Sequence, residues 1–228
     1  MISLLLLNGG VGARARTAGP KQFVKINGVP IVVYSLKAAD EVEEITEIVL
    51  NFPPGHRETL EDLVRDYAIS TPVKYADAGT TRQESVSLLL DEVTNDSVLI
   101  HESARPIISA DDFRTLISSQ HANVGYMREI SFTVAPVDPE TSRVTGSLER
   151  ARLRNVQLPQ KFNLADLRKG HEFASASGTH YTEDATMCAD AGVDVFFVEG
   201  SENNLKVTTP GDVNLATMLL RHEGDRDV

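Results

Sequence analysis

The sequence predicts an α/β fold built on a mainly parallel sheet with helices on both faces. Three observations carry this. Short apolar runs alternate with longer stretches of helical spacing from Ile2 to His121. The first run, Ile2–Leu7, is apolar almost throughout and ends on glycines, as suits a strand covered on both faces. Apolar residues make up 41% of the 228 residues and charged ones 24%, enough to bury a large core without staples.

The elements follow in order. Ile31–Ala39 reads as a helix, with Pro30 acceptable at its first turn. Ile45–Asn51 reads as a strand. His56–Tyr67 carries Leu60, Leu63, Val64 and Tyr67 as a helical stripe. Pro72–Ala76 reads as a strand, and Arg82–Val93 as a helix with Val86, Leu89, Leu90 and Val93 on one face. Ser97–His101 is a strand. Asp111–His121 is a helix that opens on acidic residues, which favour a helix N-terminus. The segment from Val137 to Arg154 is polar and charged, and reads as an arm or a long loop. Regular patterning returns over Ala165–Ala176, Asp184–Ala191, Val193–Val198, Leu205–Thr208 and Gly211–Arg221, with Lys206 on a short late strand. No repeat, low-complexity block or linker divides the chain, so one domain over residues 1–228 is expected, with the arm at about 137–156.

The charge balance excludes some functions. The formal net charge is −11, which argues against a nucleic-acid surface built from clustered Lys and Arg. It does not exclude a small anion in a local basic pocket. The single cysteine, Cys188, rules out an intrachain disulfide and a Cys-based zinc site, and fits a cytoplasmic compartment. No apolar run approaches the ~18 residues of a membrane span, so neither a membrane nor a nucleic acid is expected as a partner. Met1–Leu7 lacks a basic leader and runs straight into Asn8-Gly9-Gly10, so it reads as a strand and not as a signal peptide.

The chemistry points to the turn after that strand, Gly9-Gly10-Val11-Gly12-Ala13-Arg14. Ligands of open parallel sheets bind beyond the carboxyl ends of the strands. Glycines let backbone N–H groups come close to a phosphate or a base. Two common phosphate motifs are absent. Pro20 arrives before the helix that a dinucleotide fingerprint needs could settle, and no Gly-Lys-Ser/Thr follows.

Seven short motifs in order make the turn specific. The glycine turn is followed by Pro20-Lys21-Gln22-Phe23 and Gly28-Val29-Pro30-Ile31. Then come Gly79-Thr80-Thr81-Arg82-Gln83-Glu84-Ser85-Val86, His101-Glu102-Ser103-Ala104-Arg105-Pro106, Gln157-Leu158-Pro159-Gln160-Lys161-Phe162, Thr182-Glu183-Asp184-Ala185 and Asn204-Leu205-Lys206-Val207-Thr208-Thr209-Pro210-Gly211-Asp212. This series resembles the cytidylyltransferases that act on 2-C-methyl-D-erythritol 4-phosphate and on ribitol 5-phosphate, over nearly the whole chain. The resemblance implies a Rossmann-like fold of the nucleotidyltransferase type with a protruding dimerisation arm. It implies transfer from CTP to a small phosphorylated polyol, or a related phosphate or phosphonate, with release of pyrophosphate.

The resemblance also assigns residues. Arg14, Lys21 and Lys206 are expected to be catalytic, contacting CTP phosphates. Asn8, Gly9, Gly10, Gly12, Gly79, Arg82 and Ser85 are expected to bind the nucleotide. Glu102 stands where the family has an aspartate that binds Mg²⁺, and glutamate is still a hard oxygen ligand. Asn203 replaces the family's second metal-side acid. Arg105, Arg150 and Thr182 are expected to bind the acceptor, Arg150 by reaching across a homodimer. The family's Asp-Thr-Ile/Met-Lys segment is replaced by Asp138-Pro139-Glu140-Thr141-Ser142, so the polyol-reading part is altered. Each charged residue also has an ordinary alternative as a solvated surface charge. Two other readings stay open: a nucleotidyltransferase using another base or a sugar phosphate, and a non-catalytic nucleotide-binding homologue.

Overall fold

A computed structural model describes residues 1–10 and 20–224. The strand β1 (Ile2–Leu7) opens the chain. Next come a small hairpin of β2 (Lys25–Ile26) and β3 (Val29–Pro30), then α1 (Ile31–Asp40), β4 (Ile45–Phe52), α2 (Arg57–Asp66) and β5 (Val73–Asp77). The chain continues through α3 (Arg82–Leu90), β6 (Ser97–Glu102), α4 (Ala110–Ile117), β7 (Val124–Glu129), β8 (Val137–Asp138) and β9 (Arg143–Val144). It ends with β10 (Arg154–Asn163), α5 (Leu164–Ser177), α6 (Asp184–Asp190), β11 (Phe196–Glu199) and α7 (Pro210–Gly224).

Seven strands form one sheet in the order β11-β7-β10-β6-β1-β4-β5. All neighbours are parallel except β10, which is antiparallel to both β6 and β7. The alternation of side chains along β1 fills two cores. Leu4 and Leu6 pack on one face with Val32, Val33 and Leu36 of α1, Leu60 of α2 and Phe113 of α4. Leu5 and Leu7 pack on the other with Val86 and Leu89 of α3, Leu167 of α5 and Met187 of α6. Both faces are therefore covered, as the apolar run predicts.

The sheet order fixes where a ligand can sit. From β1 the chain winds outward to β4 and β5, then returns to place β6 on the other side of β1. The crevice at the carboxyl ends of β1 and β6 is thus a topological switch point. Leu7 pairs with Glu102 in register, so Asn8 and Glu102 emerge side by side at that end.

Three sequence expectations change. The ten-residue strand β10 escapes the sequence reading because it contains Pro159, and proline inside a run argues against a central strand. The structure admits it by a break in register between Gln157 and Gln160, where Pro159 owes the ladder no N–H. The strand β7 was not foreseen either. Leu205–Thr208 is not a strand: it is an irregular segment, tied by a bond from the Val207 N–H to the Ala104 carbonyl (2.7 Å). A third small apolar cluster of Ile26, Ile31, Ile107, Val207 and Ala216 holds that segment against the β2–β3 hairpin and α7. Asn27 (φ 48°) and Gly28 (φ 84°) make the tight turn of that hairpin, as an Asn-Gly pair commonly does.

Candidate active site

A cavity of about 660 Å³ opens at the switch point. Its size suits a small-molecule site. Its walls come from the turn after β1, the 3₁₀ turn Lys21–Phe23, the loop before α3, the end of β6 and the irregular segment around Lys206. Asn8, Gly9, Gly10, Lys21, Gly79, Arg82, Ser85, Glu102 and Lys206 all line it. The structure thus gathers most of the expected residues into one place. Gly12 and Arg14 lie outside the described residues.

Two of the three wall glycines are required by packing. A Cβ on Gly9 would lie 2.3 Å from the Ala78 Cβ, and one on Gly79 would lie 2.6 Å from the Glu84 Cγ. Gly10 differs: among the described residues, a Cβ there meets nothing within 4 Å. The Gly79 turn is closed by its own bonds. Gly79 N–H donates to Ser85 Oγ (3.1 Å), and Ser85 Oγ donates to the Thr81 carbonyl (2.8 Å). Thr81 caps α3 by accepting from Glu84 N–H (3.0 Å).

Glu102 is the electrostatic centre. It is 8% exposed. Its Oε2 lies 2.7 Å from Lys206 Nζ and 3.8 Å from Arg105 Nε, and its Oε1 lies 3.5 Å from Arg82 Nε. Burial alone would raise the carboxyl, but the Lys206 ammonium, then Arg82 and Arg105, hold it below the usual carboxylate range. Arg82 is itself anchored from behind, with Nη2 2.6 Å from Oδ2 of the buried Asp184. Arg105 donates from Nη1 to the Asn204 carbonyl (2.8 Å), and Asn204 Nδ2 donates to the Leu158 carbonyl (2.6 Å). His101, fully buried behind this group, is pushed down to about 4 by burial and by the Arg105 charge. Lys21 Nζ donates to the Val207 carbonyl (2.9 Å), joining residues 186 positions apart and setting the two expected catalytic lysines on adjoining segments.

The acceptor-side expectations fare unevenly. Arg105 reaches the cluster through Glu102. Thr182 is exposed and does not line the cavity. Arg150 is exposed on the arm, where its Nη1 donates to the Ser131 carbonyl at 3.4 Å, and it does not line the cavity either. Residues 139–152 are exposed throughout, and β8 and β9 pair only with each other. Asp138 Oδ1 accepts from the N–H groups of Glu140 (2.9 Å) and Thr141 (3.2 Å), so the altered segment is spent on turning the hairpin.

Several site residues carry no separate expectation from sequence. Gln22 and Asp184 sit inside quoted motifs, where their neighbours Lys21 and Thr182 drew the assignment. Asn51 has no sequence signal, and Ser103 sits in the His101–Pro106 motif without a role of its own, since what each does depends on the register of β4 and β6 beside β1. For a metal, no group of three His, Cys, Asp or Glu comes together among the described residues. Glu102 is the one carboxylate among the described residues that line the cavity. Mg²⁺ that takes most of its ligands from phosphates and water needs only one or two carboxylates, and that donor set fits.

Gly9 and Gly10 line the same cavity as a carboxylate ringed by cations, at the switch point of a parallel sheet, an arrangement that suits a nucleotidyltransferase. Comparison with known proteins narrows the class. The family model for 2-C-methyl-D-erythritol 4-phosphate cytidylyltransferase matches residues 2–222. A chloroplastic enzyme of that name from Oryza sativa is 33% identical, covering 97% of this chain and 75% of its own. One from Bacillus cytotoxicus is 33% identical, covering 96% and 98%. Among solved structures, 4-diphosphocytidyl-2C-methyl-D-erythritol synthase from Anaerococcus prevotii superposes with a TM-score of 0.83 at 25% identity, covering 97% of this chain and 96% of that one. The chain belongs to the 2-C-methyl-D-erythritol 4-phosphate cytidylyltransferase family and is a CTP-dependent nucleotidyltransferase.

Proposed function

We propose that this chain transfers the cytidylyl group of CTP to the phosphate of 2-C-methyl-D-erythritol 4-phosphate or a closely related polyol phosphate. The observation that carries this reading is Glu102, set among Lys206, Arg82 and Arg105 opposite the glycine turn. An acceptor phosphate oxygen attacks the α-phosphorus of CTP. One P–O bond forms, the bond to the β-phosphate oxygen breaks, and pyrophosphate leaves in line. The nucleophile is an anion near pH 7, since the second pKa of a phosphate monoester is about 6, so no general base is needed. What the site must supply is alignment of anions and neutralisation of charge.

Lys21 and Lys206 are the cations we assign to the CTP phosphates, and Arg14, outside the described residues, is assigned to them by its place in the motif. Gly9 and Gly10 give the triphosphate close approach to the backbone, and Gly12 is assigned the same role by the motif alone. Gly79, Ser85 and Arg82 frame the nucleoside end, with Arg82 also bracing Glu102. Glu102 would hold a Mg²⁺ ion, which when bound would offset charge on the phosphates. Arg105 faces the acceptor phosphate. Arg150 and Thr182 are assigned to the acceptor in a homodimer, with each Arg150 serving the site of the other copy. The exposed apolar side chains Val137, Val144 and Leu148 support that assignment, because a two-stranded hairpin this exposed gains little by itself. The single cysteine supports a reducing, cytoplasmic setting. Among the described residues, no helix is long and apolar enough to cross a membrane.

The test is pyrophosphate release. CTP with 2-C-methyl-D-erythritol 4-phosphate and Mg²⁺ is expected to give one pyrophosphate per cytidylylated product. UTP, ATP and GTP are expected to give far less. Release with none of a panel of phosphorylated polyols, at any nucleotide, would refute the reading.

A further inference from the structure

Asn8, the residue that leaves β1 for the glycine turn, is 2% exposed and lines the cavity. Three of its four polar groups are engaged, by three different elements. Its N–H donates to Asn51 Oδ1 of β4 (2.5 Å). Its carbonyl accepts from Gln22 Nε2 of the 3₁₀ turn (2.5 Å), which also donates to the Gly10 carbonyl (3.0 Å). Its side-chain Oδ1 accepts from Ser103 Oγ, just past β6 (2.6 Å). The fourth group, Nδ2, is buried and has no hydrogen-bond partner among the described residues. A buried donor left unmade costs on the order of 1–3 kcal/mol, so a fold that holds one rigidly in a ligand cavity has a use for it.

Resting on the cytidylyltransferase reading, we propose that Asn8 Nδ2 is a preset hydrogen-bond donor that selects an acceptor oxygen of the bound nucleotide. Ser103 holds the oxygen end of the amide, which leaves Nδ2 as its unengaged end. Asn51 and Gln22 fix the backbone from which it projects. The donor is therefore oriented before the nucleotide arrives, and binding does not have to freeze its rotamer. The oxygen it meets belongs either to the base and sugar or to a phosphate.

Nucleotide binding by calorimetry on the full chain tests this. Asn8→Ala removes the amide and leaves Ser103 Oγ the Leu7 carbonyl at 3.3 Å, so no new polar group is stranded. The variant is expected to melt no lower than the wild type, yet to bind CTP about tenfold more weakly, in line with one lost buried bond. Asn8→Asp puts an oxygen where the donor stood and is expected to weaken CTP at least as much. A loss shared by cytidine assigns the oxygen to the base or sugar, and a loss shared by inorganic tripolyphosphate assigns it to a phosphate. CTP affinity within twofold of wild type in either variant overturns the proposal. Failure of the wild-type chain to bind CTP would instead overturn the functional reading beneath it.

Discussion

The nucleotide cavity and the arm obey opposite rules. At the cavity, Asn8 and Glu102, with Asp184 behind Arg82, are buried, and each is held by at least one partner from another element. In the arm, every residue from 139 to 152 is exposed, and Arg150 has one long bond to a backbone carbonyl. The first region draws its partners from several elements of one chain. Among the described residues, the second has few partners outside itself. The proposed function accounts for the contrast: the nucleotide half of the site would be assembled by folding and the acceptor half by association.

The comparison can be broken most forcefully at Asp184. Removing this carboxylate in Asp184→Ala takes the nearest partner from the half-buried Arg82 guanidinium and leaves it Glu102 at 3.5 Å, which should cost about 3 kcal/mol of unfolding free energy in a denaturant titration. A loss under 1 kcal/mol would mean that the cavity is not held by its buried charges. Comparable in size is Lys21→Ala. It should cost about 2.7–4 kcal/mol of barrier, a drop of roughly a hundredfold to a thousandfold in kcat, with the fold intact by circular dichroism. Turnover near the wild-type rate would remove Lys21 from the chemistry.

His101 gives a pH signature of about the same size. Folded, it holds its proton only below about 4, whereas unfolded it takes one up below its ordinary value near 6.5. The unfolded state therefore binds more protons in that window, and stability falls as pH drops from 6.5 to 4, by about 3 kcal/mol for a fully buried ring. His101→Gln should flatten that part of the Tm-against-pH curve, and an unchanged curve would contradict the assignment. The arm should answer in the reverse manner. Val144→Ser should change unfolding free energy by less than about 0.5 kcal/mol, as exposed substitutions do, while shifting solution mass from dimer toward monomer.

Much of this was legible in the sequence. Apolar runs and helical periodicity placed β1, α1, β4 and α2 within about a residue of their observed bounds, because the two strands are buried nearly throughout and the two helices carry clear apolar positions. The order of the motifs named the cavity residues from Lys21 to Lys206. What was not legible lay in long-range register. Pro159 disguised β10, since only the break between Gln157 and Gln160 lets a proline sit inside a central strand. Lys206 was expected on a strand, but Val207 makes a single bond to Ala104 where a ladder was foreseen. Asn51 and Ser103 are ordinary polar residues until β4 and β6 flank β1 and aim them at Asn8.

The shared-site account is tested most directly by mixing two inactive chains. Arg150→Ala should raise the KM for the acceptor phosphate while CTP affinity stays within twofold of wild type. Lys21→Ala should fail at the CTP phosphates. If each site takes Lys21 from one copy and Arg150 from the other, co-refolded chains form mixed dimers with one intact site. Pyrophosphate release should then recover to about a quarter of the wild-type rate under random pairing. Recovery no greater than the sum of the two variants alone, in a sample whose mass proves mixed dimers, would contradict the account.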